Sequence, residues 1–351
     1  MQLKKLRKKI DQIDKTIVEL INQRAKQVIQ VGLWKKARKL STYSPEREAA
    51  LLANLKKISR GPLMGEDVEN IFREILSACR SQGANLKIAY LGPQGTFTHL
   101  AAIKKFGKKA DYLTQESISD VFASVERMQA DYGVVPIENS TEGAVNYTLD
   151  MFFDSSLNIC SEVTLNISHA LLGRKLKGIR KVYSNPQVFA QCRAWLGRFL
   201  KGVELIPVNS TAKAAKEAKK DPLAACIGNK ILANLYGLKV VASSIEDSPN
   251  NYTRFLVIAR NDSPPSGKDK TSILFSVKDR VGALHDILAS FKDLGISLTK
   301  IESRPSKKKA WEYYFFVDFQ GHRSSPSVQK ALKKLGRRCS FVKILGSYPR
   351  F

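Results

Sequence analysis

The sequence contains no long apolar run. None of its stretches approaches the ~20 consecutive apolar residues that a membrane-spanning helix needs, and the N-terminus alternates basic with single apolar residues, unlike a secretory signal. Cysteine is scarce, and no two cysteines have the CxxC spacing of a zinc site. The five cysteines are Cys79, Cys160, Cys192, Cys226 and Cys339. We therefore expect a cytoplasmic protein with reduced thiols, no metal site and no membrane contact.

Acidic residues are few relative to basic ones. Against 58 Lys and Arg there are 32 Asp and Glu, which gives a formal net charge of +26 over 351 residues. Such an excess suits a nucleic acid or small anionic substrates, or it has no functional meaning. The basic residues are spread along the chain without a zinc finger, an RNA-binding aromatic motif or a basic tail, so we expect no nucleic-acid partner. The length allows two or three domains.

Apolar residues near the N-terminus recur at alternating spacings of three and four, which predicts one long helix to about Arg38. This apolar seam consists of Leu3, Leu6, Ile10, Ile13, Ile17 and Leu20. Its continuation carries Arg24. A buried Arg needs an anionic partner, unless its side chain extends to solvent.

The spacing of three basic residues on this helix constrains any ligand that they share. Arg24 and Lys35 lie about three turns apart, on one face and at ~16 Å, whereas Arg7 is ~42 Å from Lys35 along the axis. One small anion cannot reach both ends of the same helix. If all three residues bind one anion, Arg7 comes from a second, antiparallel copy, and the site is shared across a helical dimer.

Two further helices are predicted before residue 85. The segment Ser44-Pro45-Glu46-Arg47-Glu48 has an N-cap Ser, a Pro at the first helical position and Glu in the first turn. A third helix is expected from about Gly65 to Arg80, and the polar residues 81–85 then end the segment. The expected buried stripe of the third helix is Val68, Ile71, Phe72, Ile75 and Leu76.

These helices, with their basic residues, resemble the AroQ-type chorismate mutase domain. The matching residues are Arg7, Arg24, Lys35, Arg47 and Glu48. The resemblance implies that the basic residues clamp the two carboxylates of chorismate, with Arg24 and Lys35 stabilising the rearrangement electrostatically. Two positions depart from the family pattern. Ser44 stands where the family often has Asp, and Gly83 stands where it usually has the ether-binding Gln or Glu, although Gln82 is adjacent.

From Leu86 the pattern changes to strands alternating with helices, which predicts an α/β fold with largely parallel sheets. We expect a strand at 87–91, a loop into a helix at about Leu100, a strand at 132–137 and a helix carrying Gln191, Cys192 and Arg193. The loop at 92–98 is expected to present free backbone amides to an anion. Thr253 and Arg254 stand where a polar loop meets an apolar strand. Open α/β sheets hold ligands at such strand ends, although each cluster alone is compatible with a plain loop.

Four segments of this region resemble prephenate dehydratase motifs, in the order of that family. They are Gly92-Pro93-Gln94-Gly95-Thr96-Phe97, Gly133-Val134-Val135-Pro136-Ile137-Glu138-Asn139-Ser140, Ser184-Asn185-Pro186-Gln187 and Thr253-Arg254-Phe255. The resemblance implies a two-lobed α/β fold, similar to periplasmic binding proteins, with the active site in the cleft. The implied reaction is loss of CO2 and hydroxide from prephenate, and it needs no cofactor because ring aromatisation drives it.

By the same resemblance, Thr253 is the essential residue near the leaving hydroxyl, where it donates a hydrogen bond or relays a proton. Arg254 is expected to act beside it. The residues expected to bind the substrate are Gly95, Thr96, Glu138, Asn139, Ser140, Ser184 and Gln191. One departure is Asn185, which stands where the family usually has His.

After a linker-like segment at 261–268, the predicted order is strand, helix, strand, strand, helix, strand, a βαββαβ ferredoxin-like unit. The strands are expected at 271–277, 297–303, 311–319 and 341–345, and the helices at 283–294 and 326–335, with Ser325 as N-cap. Two segments resemble the phenylalanine-binding loops of an ACT regulatory domain. They are Gly282-Ala283-Leu284-His285 and Glu302-Ser303-Arg304-Pro305.

The whole chain resembles a bifunctional chorismate mutase/prephenate dehydratase with a C-terminal ACT domain. The expected domains are an all-α AroQ-type domain at 1–85, a two-lobed α/β domain at 86–262 and a βαββαβ ACT domain at 270–348. Expected partners are chorismate, prephenate, the effector phenylalanine and a second copy in an even-numbered oligomer. Two alternatives stay open: a dehydratase whose helical domain only dimerises, and a regulator that binds DNA through its basic helices.

Overall fold

The computed structural model of the chain describes residues 2–38, 43–83, 85–277, 280–305 and 313–350. The chain divides into two compact units. The first comprises Met1–Lys87 with Ile103–Asp111, and the second comprises Ile88–Ala102 with Tyr112–Phe351. Within the described residues, no helix is both long and apolar enough to cross a membrane.

The first unit contains the three predicted helices, α1 (Gln2–Ala37), α2 (Pro45–Ile58) and α3 (Gly65–Arg80). α3 packs against both α1 and α2. Glu69 of α3 pairs with Lys56 of α2 and with Arg73 one turn further along α3. Ser44 occupies the N-cap position of α2, but its hydroxyl pairs with the Glu46 carboxylate and caps no backbone amide.

The predicted buried stripe of α3 is wrong in part. Ile71 is 49% exposed, and the two buried residues of this helix are Ser77 and Cys79. α1 carries no buried residue along its described length, and the side chains of its apolar seam are all exposed in the single chain. Such a long apolar stripe on a surface helix is typical of a helix that is covered by another chain.

The first sheet of the second unit has the order β2-β1-β3-β11-β5, with β4 paired to β3. Its strands are β1 (Lys87–Leu91), β2 (Asp111–Gln115), β3 (Tyr132–Asn139), β4 (Gly143–Ala144), β5 (Asn158–Asn166) and β11 (Tyr252–Ala259). The helices connecting them are α4 (Phe97–Phe106), α5 (Ile118–Glu126) and α6 (Asn146–Asp154). The α5 and α6 side chains Phe122 and Phe152 are buried in the core beneath this sheet.

The second sheet has the order β10-β6-β9-β7-β8. Its strands are β6 (Ala170–Gly173), β7 (Lys181–Ser184), β8 (Glu204–Pro207), β9 (Ala224–Gly228) and β10 (Lys239–Ser243). The helices of this lobe are α7 (Pro186–Gln191), α8 (Arg193–Phe199), α9 (Thr211–Lys220) and α10 (Ile231–Tyr236). The first sheet with its helices forms the first lobe, and the second sheet with its helices forms the second lobe. The chain leaves the first lobe after β5 and returns to it in β11, so two connecting segments join the lobes.

The third sheet has the order β13-β14-β12-β15 and forms the predicted βαββαβ unit. It comprises β12 (Asp269–Val277), α11 (Ala283–Lys292), β13 (Leu298–Pro305), β14 (Tyr313–Gln320), α12 (Pro326–Arg338) and β15 (Cys339–Pro349). One face packs on α11 and α12, while Leu274, Phe316 and Leu345 of the other face join the core of the first lobe. The two domains therefore share one hydrophobic core.

Several expectations about these elements need correction. The sheets are mixed: β1 pairs with β3 in parallel, but β11 is antiparallel to both β3 and β5 because it re-enters the first lobe from the opposite direction. α4 begins at Phe97, before Leu100, and the helix expected through Cys192 is broken there into α7 and α8. Ser325 lies at the N-cap position of α12, but its hydroxyl donates to the His322 carbonyl.

The linker and one strand end also differ from expectation. Ser263 is 3% exposed and donates to the Cys160 carbonyl, so this part of the segment is packed onto the first lobe. β14 begins at Tyr313, while Trp311, the expected start of that strand, lies outside the described residues.

Candidate active site

Asn139 and Thr253 meet at one edge of the first sheet. Asn139 is the last residue of β3, Thr253 is the second residue of β11, and the two are directly paired in the antiparallel register. Because the strands run in opposite directions, the end of one lies beside the start of the other. The two polar motifs, 114 residues apart in the chain, therefore form one site.

The Asn139 side chain organises this site. Its Nδ2 donates to Thr253 Oγ1 at 2.7 Å and to Asn251 Oδ1 at 2.8 Å. Its Oδ1 accepts from the backbone amides of Thr141 and Glu142 at 2.9 and 3.1 Å. Since Thr253 Oγ1 accepts the Asn139 bond, its own proton stays available to a ligand.

Ser140 fixes the loop that precedes β11. Its backbone amide donates to the Tyr252 carbonyl at 2.8 Å, and its hydroxyl donates to the Asn250 carbonyl and accepts from the Tyr252 amide. These bonds tie the loop before Thr253 to the end of β3, and the expected role of Ser140 in binding the substrate stays a prediction.

Gln191 lies at the end of α7 and links the two lobes. Its Nε2 donates to Glu142 of the first lobe at 3.4 Å, and its Oε1 accepts from His169 Nε2 at 2.8 Å. The His169 imidazole is buried against Phe97, and its Nδ1 has no hydrogen-bond partner within the described part of the chain. Burial lowers the His169 pKa, opposed by Gln191 and Glu246, so the ring is held neutral.

His169 was missed because its neighbourhood in the sequence, Ile167-Ser168-His169-Ala170, reads as a strand start with no polar cluster. The signal that could have found it is the scarcity of His: the chain has only 4. A second missed residue is His99, whose Nδ1 accepts from the Gly95 amide at 3.2 Å and whose pKa is lowered by burial.

Two amides of the loop at 92–98 are engaged in local hydrogen bonds. The Gly95 amide donates to His99, and the Thr96 amide donates to the Pro93 carbonyl at 3.3 Å. The Thr96 hydroxyl donates to the Leu91 carbonyl at 3.1 Å, and Asn229 Nδ2 donates to the Gly95 carbonyl at 2.6 Å. Local bonds thus engage both amides, and the expected role of Gly95 and Thr96 in binding the substrate stays a prediction.

Ser184 is also not at the surface of the cleft. Its hydroxyl is 0% exposed and donates to the Ile227 carbonyl of β9 at 2.8 Å. The end of β7 is thus covered by its neighbouring strand, and the expected role of Ser184 in orienting the substrate stays a prediction. Asn185 caps α7, with its side-chain oxygen accepting from the Gln187 amide at 3.0 Å.

Arg254 lies in a buried charge cluster that joins the first lobe to the third sheet. Its Nε pairs with Glu162 at 2.7 Å, one Nη with Asp318 at 2.6 Å, and the other Nη donates to the Tyr348 hydroxyl at 3.0 Å. Lys270 also pairs with Glu162. Burial opposes the Arg254 charge, but the neighbouring Tyr348, Asp318 and Glu162 outweigh it and raise the Arg254 pKa. The guanidinium is thus paired with protein groups, and its expected role in orienting the substrate stays a prediction.

Glu138 stands at the edge of the same cluster. Its side chain is 38% exposed, and its carboxylate lies 3.8 Å from Arg254 Nη1 and 3.1 Å from Lys300 Nζ of the third sheet. Glu138 therefore connects the end of β3 with a residue of the C-terminal domain.

In the first unit, Arg24 is half-buried, and one of its Nη atoms has no hydrogen-bond partner among the described residues. Arg7 and Arg47 are exposed, and Lys35 is half-buried on the same helix as Arg7. Both ends of α1 thus present basic groups, but α1 is one continuous helix and keeps Arg7 and Lys35 far apart.

Glu48 and Gln82 are both candidate substrate-binding residues, and Gln82 is adjacent to the position at which the family usually has the ether-binding residue. Glu48 is 8% exposed, accepts from the Tyr43 hydroxyl at 3.3 Å and pairs with Arg80 at 3.5 Å. Gln82 is exposed in the turn after α3, as is Gly83. The Glu48 carboxylate is therefore engaged within the helical unit.

The two C-terminal motifs differ in their surroundings. Gly282, with φ of +77°, starts α11, and the next residues are buried Ala283, half-buried Leu284 and His285, whose side chain is 84% exposed. On β13 the side chains alternate: Glu302 and Arg304 are half-buried, whereas Ser303 and Pro305 are exposed. Arg304 Nε lies 3.3 Å from Asp150 of α6, so this motif is in contact with the first lobe.

Three family models match the chain. The models are prephenate dehydratase at residues 88–263, chorismate mutase type II at residues 6–83 and the ACT domain at residues 271–337. A similar full-length protein is the bifunctional chorismate mutase/prephenate dehydratase of Aquifex aeolicus. It is 48% identical over 355 residues, which covers 99% of this chain and 98% of the relative.

Solved structures resemble the second unit. The prephenate dehydratase of Arthrobacter aurescens in complex with L-Phe has a TM-score of 0.70 at 34% identity and covers 76% of this chain and 90% of its own. A protein described as a novel type of quorum quenching acylase has the same TM-score, 0.70, at 26% identity, and covers 76% of this chain and 98% of its own. The fold is thus shared with proteins of more than one described activity.

Proposed function

The chain belongs to the family of bifunctional chorismate mutase/prephenate dehydratases, and from this membership we propose how it makes phenylpyruvate for phenylalanine biosynthesis. It rearranges chorismate to prephenate and converts prephenate to phenylpyruvate. The observation that carries both activities is the 48% identity to a bifunctional relative over 99% of the chain, through all three domains.

For the dehydratase step, we propose that prephenate binds in the cleft between the two lobes. The ring carboxylate leaves as CO2, its electron pair enters the ring, and the C4 hydroxyl leaves as water once it is protonated. Thr253 donates a hydrogen bond to this hydroxyl, which the Asn139 amide supports by occupying an acceptor position of Thr253 Oγ1. Gln191 closes the opposite wall, oriented by neutral His169.

For the mutase step, Arg24 and Lys35 of one copy and Arg7 of a second copy bind the two carboxylates of chorismate. The exposed apolar seam of α1 and the unpartnered Nη of half-buried Arg24 support this shared site. Four further residues are candidates for binding chorismate at this site: Ser44, Arg47, Glu48 and Gln82. The site needs two copies, so the protein forms a homodimer or a higher even-numbered oligomer.

The C-terminal domain binds phenylalanine and inhibits the dehydratase. The candidate effector residues are Gly282, Ala283, Leu284, His285, Glu302, Ser303, Arg304 and Pro305. The contact between Arg304 and Asp150 supports a route from this domain to the first lobe. A cytoplasmic location fits the five cysteines, all of which are free thiols.

The test is one reaction mixture in which chorismate consumption and phenylpyruvate formation are followed together. We expect both to proceed with the unmodified protein. Thr253→Ala should abolish phenylpyruvate formation from added prephenate and leave chorismate consumption intact, while Arg24→Ala should do the opposite.

Two results would contradict this assignment. Equal loss of both reactions in either variant would contradict the separation of the two sites. If the unmodified protein leaves chorismate untouched but converts added prephenate, the helical domain serves only dimerisation.

A further inference from the structure

A row of charged side chains leads from the strand that carries Thr253 to the edge strand of the C-terminal sheet. Arg254 Nη1 lies 3.8 Å from Glu138 Oε2, and the other Glu138 oxygen lies 3.1 Å from Lys300 Nζ. Lys300 Nζ lies 3.7 Å from the Glu302 carboxylate. Lys300 therefore stands between a residue of the dehydratase motif and a residue of the candidate effector motif.

The alternation of side chains between the two faces of β13 explains how Lys300 reaches both Glu138 and Glu302. Side chains two residues apart share one face of a strand, so Lys300, Glu302 and Arg304 lie on the same face. All three are at least partly buried, and the residues between them are exposed. This face contacts the first lobe twice, through Lys300 with Glu138 and through Arg304 with Asp150.

Lys300 has little access to water. Its side chain is only 7% exposed, whereas Glu138 and Glu302 are 38% and 35% exposed. A desolvated ammonium needs a carboxylate, and here two compete for it at unequal distances. The position of one carboxylate therefore affects the pairing of the other.

Glu138 is directly coupled to the candidate catalytic pair. It precedes Asn139, whose amide holds Thr253, and in the strand register Glu138 lies opposite Arg254 as Asn139 lies opposite Thr253. A change at the Glu138 carboxylate thus acts at the end of β3, one residue from the bond that orients Thr253.

We propose that Lys300, a residue of the C-terminal domain, is a positioning residue of the dehydratase site, and that it joins the effector motif to this site by sharing its ammonium between Glu138 and Glu302. The proposal rests on the proposed dehydratase role of Thr253 and effector role of Glu302. Lys300 is nearer to Glu138 than to Glu302 and holds Glu138 beside Arg254. An amino acid that binds at Glu302 changes the pairing of Lys300 with Glu302. Because both carboxylates share one ammonium, the pairing of Lys300 with Glu138 changes as well.

The deciding variant is Lys300→Met, which keeps most of the side-chain length and removes the charge. We expect the dehydratase kcat to fall at least tenfold with a smaller change in KM, because substrate contacts remain while Thr253 is less well held. Inhibition by phenylalanine should weaken at least tenfold, while phenylalanine binding measured by calorimetry persists. Mutase turnover in the same sample should be unchanged.

Two further variants complete the design. Lys300→Arg keeps the charge and should restore kcat to within about threefold of the unmodified protein. Lys330→Met removes an exposed charge from α12 of the same domain and should alter neither kcat nor inhibition. If Lys300→Met fails to fold, as judged by lost phenylalanine binding and a lost thermal transition, Lys300→Gln takes its place with the same expected results.

Unaltered kcat and inhibition in the charge-removing variant would overturn the proposal, as would a failure of Lys300→Arg to restore either property. The unmodified protein separates this outcome from failure of the proposed function. If it does not convert prephenate, the proposed dehydratase site is wrong. If it converts prephenate but is not inhibited by phenylalanine, the sharing with Glu302 is overturned and the kcat comparison alone decides the positioning role.

Discussion

Neighbouring residues of the Thr253-Arg254 motif have different tasks. Thr253 is half-buried and keeps its hydroxyl proton available at the cleft, while Arg254 is directed to the other side of the sheet edge, where three carboxylates surround it. The alternation of side chains along a strand produces this division. The sequence motif marks both residues, but only the Thr253 hydroxyl is bonded to Asn139.

The first prediction concerns the free energy of unfolding that depends on Arg254. Arg254→Met leaves the buried carboxylates of Glu162 and Asp318 with one cation fewer, and removing one partner of a buried ion cluster costs ~3–5 kcal/mol. We expect a correspondingly lower denaturant midpoint for the second unit. Arg254→Lys should lose less, because it keeps the charge but not the fork of donors.

The control for this prediction is Lys220→Met. Lys220 pairs with Glu217 on α9, where its side chain is 68% exposed, so the loss should be small. If Arg254→Met lowers the denaturant midpoint no more than Lys220→Met does, the buried cluster makes no net contribution to stability.

At the scale of elements, β15 joins the C-terminal sheet to the first lobe through a close backbone approach. Gly346 has φ of +151°, and a Cβ atom at this position would lie 2.1 Å from the Ile159 carbonyl oxygen of β5. A neighbouring side chain could rotate away, but a strand backbone cannot move without breaking its pairing. Only glycine allows β15 and β5 to approach this closely.

The second prediction follows from that approach. Gly346→Ala should lower the free energy of unfolding by at least ~1–3 kcal/mol, because the added methyl group overpacks the contact and strains the backbone. Gly336→Ala is the matched control: Gly336 lies in α12, a Cβ atom added there would meet nothing within 4 Å, and alanine at this position should stabilise by ~0.5–1 kcal/mol. Denaturation midpoints that move in the same direction would contradict the close-packing explanation.

At the scale of the whole molecule, the apolar seam of α1 has no cover within a single chain. Ile10, Ile13 and Ile17 are 56%, 58% and 46% exposed, on a helix with no buried residue along its described length. A contiguous apolar stripe of this kind marks an interface. If Arg7 and Lys35 both bind chorismate, as proposed, their separation along α1 points to the same interface, because one copy then cannot complete the mutase site.

The third prediction tests this shared site. Ile13→Glu places a charge in the seam and should shift the oligomer towards monomer in analytical ultracentrifugation. Mutase turnover should fall with the loss of dimer, while dehydratase turnover, which needs only residues of the second unit, should change much less. Lys15→Glu introduces the same residue on another face of α1 and should change neither property. An unchanged mass for Ile13→Glu would exclude the seam as the interface.

The sequence by itself predicted a helical, a two-lobed α/β and an ACT domain, with bounds close to the observed ones for the helices and strands that it located. It also marked Asn139 and Thr253 as candidate site residues, and the structure brings these two side chains into contact. Periodicity, capping residues and turn residues act over a few positions, so they can be recognised locally, and the prephenate dehydratase and chorismate mutase resemblances supplied the chemistry. The bounds of α3 were correct for this reason. Its buried stripe was wrong because burial depends on which neighbours pack against the helix.

Only the tertiary structure decided which groups are available to a ligand. Short-range hydrogen bonds within the loop and the start of α4 engage the Gly95 and Thr96 amides. Contacts between distant segments bury the Ser184 hydroxyl and pair Arg254 with Asp318, which is 64 residues further along the chain. The antiparallel entry of β11, the role of His169 and the link from Lys300 to Glu138 have the same origin. A motif specifies which polar groups are present, but the partners that the fold brings to them decide which groups remain for the substrate.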